Sequence, residues 1–136
     1  MAITSVKPAQ LDSTTRLRTK AIQITRDLSV ATGDVAYTGV GFKPSAIITF
    51  SGLSGSSSDI GIADQSKAGM NLNNSTGTVW ATNTATVGAW TIFYSPSGGN
   101  YQQAVVKTWD TDGFTLTWTK VGSPTGTLYV TILCFF

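Results

Sequence analysis

From Gly113 to Thr119 the chain alternates without a break: Phe114, Leu116 and Trp118 fall on one parity, Thr115, Thr117 and Thr119 on the other. Only an extended strand, whose successive side chains point to opposite faces, gathers those three large apolar groups on one side. Threonine favours the pleated backbone and needs no core of its own. Fully burying each large apolar side chain is worth roughly 1.5–3 kcal/mol, and a one-residue slip would expose all three, so the pairing of this segment is tightly specified.

The same period begins near residue 21, where Ile22, Ile24, Leu28 and Val30 share one parity while Gln23, Thr25 and Ser29 take the other. Clusters of Gly, Ser, Asn and Asp then recur at the spacing of roughly eight to twelve residues typical of sandwiches and barrels of short antiparallel strands. Strands are expected at 21–30, 45–51, 58–64, 77–83, 88–95, 101–109, 113–119 and 126–135. Residues 1–20 show neither period and read as an extended basic N-terminal arm, leaving 21–136 as one β domain. No internal repeat points to a solenoid.

The last of these segments differs from the others. Leu128, Val130, Ile132, Cys134 and Phe136 share one face, and Tyr129, Leu133 and Phe135 occupy the other, so both faces need cover. One solution is a central strand buried on both sides by a single core. The other is an outward face that packs on a second subunit, which makes Tyr129, Leu133, Phe135 and Phe136 candidates for an oligomer interface.

Charge is scarce and unevenly placed. Charged residues make up 12% of the chain, about half the share of an ordinary soluble domain, so Thr, Ser, Asn and Gly supply its polarity. Hydroxyl-rich, weakly charged surfaces are typical of extracellular β proteins and of virion proteins. Residues 1–26 hold Lys7, Arg16, Arg18, Lys20 and Arg26 against Asp12 alone, whereas the remainder holds four lysines against six aspartates. Such a basic segment can be a solvated tail, an arm docked on an acidic protein surface, or a nucleic-acid contact. No aromatic interleaves with these bases, which disfavours single-stranded nucleic acid. The start of the chain lacks the continuous apolar stretch of a secretory signal, and no segment approaches the roughly 20 apolar residues of a membrane span, so synthesis in a cytosol is expected.

Catalytic chemistry has little to work with. The sequence contains no histidine and no glutamate, which removes a Ser-His-Asp triad, a Cys-His dyad and the usual His-bearing zinc sites. A single cysteine, Cys134, permits no intrachain disulfide and reads as strand packing. Asp110-Thr111-Asp112-Gly113 resembles the opening of a calcium loop but lacks the later ligands; a hairpin turn with Gly113 at positive φ is simpler. Gly39-Val40-Gly41-Phe42 and Gly52-Leu53-Ser54-Gly55 lack the ending of a phosphate loop and are assigned to turns. Asp59 and Asp64 flank an extended stretch, weak grounds for a metal or a glycosidase pair. The four tryptophans and four tyrosines suit core and interface packing, or a sugar-stacking surface. No catalytic residue, cofactor or metal is expected.

The stretch Gly33-Asp34-Val35-Ala36-Tyr37-Thr38-Gly39-Val40-Gly41-Phe42-Lys43-Pro44-Ser45-Ala46-Ile47-Ile48, followed by Asp59-Ile60-Gly61-Ile62-Ala63-Asp64, resembles a β module of phage structural proteins. Asn100-Tyr101-Gln102 and Trp109 to Trp118 continue the likeness, which covers roughly residues 30–136. The resemblance implies a jelly-roll-like antiparallel β-sandwich that serves as a capsid decoration (cement) protein or as a tip domain of tail fibres. A separate product of this size with a basic arm fits the decoration role better. The expected partners are then the major capsid protein, contacted by Lys7, Arg16, Arg18, Lys20 and Arg26, and further copies of the chain in a dimer or trimer on the virion exterior. A receptor-binding, lectin-like module at the tail is the alternative.

Overall fold

The alternation at Gly113–Thr119 becomes, in the computed structural model, a strand whose Phe114, Leu116 and Trp118 side chains are fully buried. The structure describes residues 18–53, 58–66, 71–73, 79–81, 90–97 and 99–136. Within them lie β1 (Thr19–Asp27), β2 (Gly33–Thr38), β3 (Ala46–Gly52), β4 (Ser58–Asp64), β5 (Asn71–Asn73), β6 (Val79–Ala81), β7 (Ile92–Ser97), β8 (Asn100–Asp110), β9 (Gly113–Val121) and β10 (Thr127–Phe135). One four-stranded antiparallel sheet has the order β1-β10-β3-β4, a second the order β2-β9-β8-β7, and β5 pairs with β6. The fold is an all-β sandwich, with no helix among the described residues long and apolar enough to cross a membrane.

The core fills the space between the two sheets. Leu128, Val130, Ile132 and Cys134 of β10 meet Phe114, Leu116 and Trp118 of β9, with Ile47, Ile92, Tyr94 and Ala104 completing the layer. Trp118 Nε1 donates to Tyr37 Oη at 3.1 Å, so its one polar atom is satisfied within the packing.

Two sets of polar contacts tie the sheets together. On one side Arg26, inward on β1, donates from Nε to Gln102 Oε1 at 3.0 Å and from a terminal nitrogen to Ala31 O at 2.9 Å, its guanidinium lying 5.1 Å from the centre of the Trp118 ring. Gln102 Nε2 in turn donates to the carbonyls of Leu28 and Val30 at 2.7 and 2.8 Å, fixing the crossover from β1 to β2. On the other side Thr49 Oγ1 donates to Thr91 O at 2.6 Å, and the Phe93 amide donates to Asp59 Oδ2 at 2.9 Å. The approach there is close enough that a Cβ built on Gly61 would lie 1.7 Å from the Thr91 carbonyl oxygen.

Ten strands are found among the described residues where about eight were expected, and the differences have local causes. No strand is expected at 33–38, just before the turn glycines Gly39 and Gly41, yet β2 forms there with Val35 and Tyr37 facing inward while Asp34, Ala36 and Thr38 face out. β1 starts two residues earlier than expected and stops at Asp27, whose carboxylate accepts from the Ser29 amide and hydroxyl at 2.8 and 2.7 Å and turns the chain. Leu28 is therefore buried from the crossover, and Val30 is exposed rather than inward. Of the strand expected at 77–83, Val79–Ala81 forms β6 and the rest lies outside the described residues; of the one expected at 88–95, Trp90 and Thr91 precede β7, which begins at Ile92, and 88–89 lie outside the described residues. β8 and β9 meet in the anticipated hairpin, with Gly113 at φ +146°.

Gly61→Ala is expected to lose at least about 2 kcal/mol in chemical denaturation, because backbone must move off backbone. Gly33→Ala, where a Cβ meets nothing within 4 Å, is the matched control and is expected to change stability by less than about 1 kcal/mol.

Candidate functional site

Of the five basic residues assigned to partner binding, the three that are described do not form one patch. Lys7 and Arg16 lie outside the described residues. Arg18 is exposed but engaged: its guanidinium lies 5.2 Å from the Phe42 ring centre and 5.5 Å from that of Phe136, and it donates to Gly41 O at 3.3 Å. Its carbonyl also accepts from the Phe136 amide at 2.9 Å. Lys20 stands exposed on β1. Arg26 is only 8% exposed and bonded inside the sandwich, which withdraws it from any contact with a partner's carboxylates. Its parity explains the correction, since position 26 faces the same way as Ile22 and Ile24.

The candidates on β10 lie on or beside a larger surface. β10 runs between β1 and β3, so its second face is the middle of the outer side of the first sheet. Among the described residues nothing covers the middle of that face: Tyr129 is 59% exposed, with Phe50 at 47% and Ile62 at 41%. The registers set out its rows. Ala21, Leu133, Ile48 and Ile62 lie side by side across β1, β10, β3 and β4, followed by Gln23, Thr131, Phe50 and Ile60, and then Thr25, Tyr129, Gly52 and Ser58. Phe135 and Ala46 flank the first row on the other side. Phe136 stands apart from both faces; it is 55% exposed and its ring meets Phe42 edge-on at 5.7 Å.

Sequence reasoning found the β10 residues of this face and missed Ile48, Phe50, Ile60 and Ile62. Their period-2 pattern was visible in 45–51 and 58–64, but joining them to β10 requires a pairing between residues about eighty positions apart. Charge on this face is confined, among the described residues, to Asp27 and Asp64 at opposite corners. Between Gln23, Thr25, Tyr129 and Thr131 the face holds a shallow groove of about 320 Å³.

The outer side of the second sheet has the opposite chemistry. Thr115, Thr117 and Thr119 run along β9, and Asp34 of β2 accepts from Thr117 Oγ1 at 2.6 Å and pairs with Lys107. Its aromatic members cover one another: Trp90 stacks on Phe93 at 5.0 Å, and Phe93 lies 5.2 Å from Tyr101. The side chain of Trp80 lies outside the described residues.

The remaining candidates resolve into structural roles. The amides of Gly39 and Gly41 form an anion cradle that is filled by the Asp112 carboxylate, which those two bonds hold below the usual carboxylate range. Asp110 turns the other way and accepts from Thr115 Oγ1 at 2.8 Å, so the two aspartates do not converge on a cation. Asp59 and Asp64 project from opposite faces of β4. Cys134 is buried in the core, where desolvation raises its thiol to about 11.

Asp59 is buried at the seam with β7, and its Oδ1 has no hydrogen-bond partner among the described residues. Desolvation outweighs the bonds from Phe93, Ser51 and Ile60 and pushes its carboxyl up to about 7. A carboxyl whose pKa is raised on folding stabilises the fold below its unfolded value near 4, and that contribution is lost as pH rises towards 7. The protein is expected to lose up to about 4 kcal/mol between pH 4 and pH 8 from this group. Asp59→Asn should flatten that slope in urea titrations across the pH range, and an unchanged slope would refute the assignment. The chain matches no protein-family model, no curated protein and no solved structure.

Proposed function

We propose that this chain is a non-enzymatic structural protein of a phage virion, a decoration (cement) protein on the capsid exterior that bridges major-capsid subunits and acts as a homo-oligomer. The observation that carries the reading is the pairing of a broad, nearly uncharged apolar sheet face with a threonine-rich face on the opposite side. A single copy in water gains nothing from leaving Phe50, Ile62 and Tyr129 bare, whereas a chain that works by contact needs such a surface. The resemblance of residues 30–136 to phage structural β modules supplies the setting, and the crossovers β1 to β2, β2 to β3 and β9 to β10 suit the jelly-roll-like connectivity that goes with it.

The mechanism is mechanical. Apolar area buried across joints between subunits adds stability by mass action, with no bond made or broken. Lys7, Arg16 and Lys20 supply the ionic part of the attachment, steering the N-terminal segment onto capsid carboxylates. The protein is made in the host cytoplasm and assembles onto particles there.

Quantitative mass spectrometry of purified virions tests the location: hundreds of copies per particle support the capsid, and a handful would move the protein to the tail. The triple change Lys7→Glu, Arg16→Glu, Lys20→Glu is expected to weaken particle binding about tenfold or more while leaving the thermal transition in place. Undiminished binding would remove the ionic arm from the proposal.

One feature favours a second reading, a lectin-like receptor-binding module. The groove beside Tyr129 offers an exposed ring with an amide and two hydroxyls around it, the mixture that recognises neutral sugars. A glycan array with no signal above background would count against it.

A further inference from the structure

We propose that the outer face of the β1-β10-β3-β4 sheet is a homodimer interface, occupied by the same face of a second copy related by a two-fold axis. The inference rests on the holding role proposed above and gives it a partner.

The face is large enough. Four strands about 4.8 Å apart and about eight residues long at roughly 3.4 Å each give a footprint of roughly 500 Å² before side-chain relief is counted. That is the order of the ~800 Å² of accessible surface each partner contributes to a standard interface. It is also continuous: the Leu133, Ile48, Ile62 row adjoins the Phe50, Ile60 row with no charge between them.

The chemistry selects the occupant. An acidic protein surface or a nucleic acid finds no cation on this face among the described residues, whose two charges there are the carboxylates of Asp27 and Asp64. What it can match is an uncharged apolar surface of the same width and twist, and a second copy presents one wherever the chain is made. A two-fold axis parallel to the strands lays β10 over the partner's β3 and β1 over the partner's β4. Asp64 then comes over the corner that bears Thr19, and Asp27 lies over the end of β4 that begins at Ser58, so neither carboxylate meets its own copy. The Thr-rich outer face of the second sheet and its Asp34–Lys107 pair remain in water.

The test is sedimentation velocity of the full chain over a concentration series to about 100 µM. A species of twice the 14.3 kDa chain mass is expected. Ile62→Lys and, separately, Phe50→Lys place like charges in the buried layer and should raise the dissociation constant at least about 100-fold. Thr117→Lys, on the opposite sheet, should leave it unchanged, and circular dichroism confirms that each variant keeps its strands. If both face variants misfold, hydrogen exchange of the unmodified chain decides, since β10 and β3 amides should gain protection with concentration. A monomer throughout, a trimer, or a dimer indifferent to both face variants overturns the inference. A monomer that still binds particles would sink the dimer alone and leave the decoration role standing. A dimer absent from every virion fraction would do the reverse.

Discussion

The fold hangs on a buried guanidinium. Arg26 sits between the sheets with no carboxylate bonded to it among the described residues, and desolvation there lowers its pKa. It is held there by Gln102 Oε1, by Ala31 O and by the face of Trp118. Gln102 then spends its own amide hydrogens on Leu28 and Val30 carbonyls that the crossover would otherwise leave buried and unpaired. Removing either side chain strands the other's partners, so the two act as one unit. The position of β2 relative to β1, and with it the alignment of both sheets, follows from that unit.

The far side of the sandwich is closed differently, and the contrast has a consequence. There backbone meets backbone at Gly61 and Thr91, and the carboxyl of Asp59 takes up the Phe93 amide. The Arg26 side keeps its charge at any ordinary pH, whereas the Asp59 side changes its charge near neutrality. Acid tightens one seam and leaves the other untouched. The surface carboxylates add the complementary limit: Asp27, Asp34 and Asp112 are all held below the usual carboxylate range by hydrogen bonds, so their contributions fade in stronger acid. These groups together favour mildly acidic solution over either extreme.

How much of this was readable depends on whether the deciding contact is local. The Phe114, Leu116, Trp118 alternation was sufficient for a buried strand, and Thr111-Asp112 before Gly113 for its hairpin. That both faces of β10 are apolar was also plain, but the sequence left open whether one core would bury both; the exposed Tyr129 decides against cover on the second face among the described residues. Arg26 misled because charge was weighed above parity; Ile22 and Ile24 already marked its side of β1 as inward. The apolar face could be read only in part, since nothing near Phe50 or Ile62 announces that β3 will lie beside β10. Likewise the glycines at 39 and 41 gave a turn, but not that Asp112, more than seventy residues on, would occupy their amides.

A sheet protein of the proposed kind has to stick by its faces without sticking by its edges, and three of the four outer strands, β1, β2 and β7, carry blunting features. β7 carries Pro96, which donates no ladder hydrogen bond, and its register with β8 shifts between Tyr94 and Ser97. β2 is six residues long with Asp34 near its start, and β1 bears Lys20 and Asp27 near its ends. Edge pairing leads to open-ended growth, because each added strand exposes a new edge. Face pairing about a two-fold axis closes after two copies. Charges spent on edges, and withheld from the centre of one face, would thus direct the proposed association toward a finite assembly in a chain that has few charges to spend.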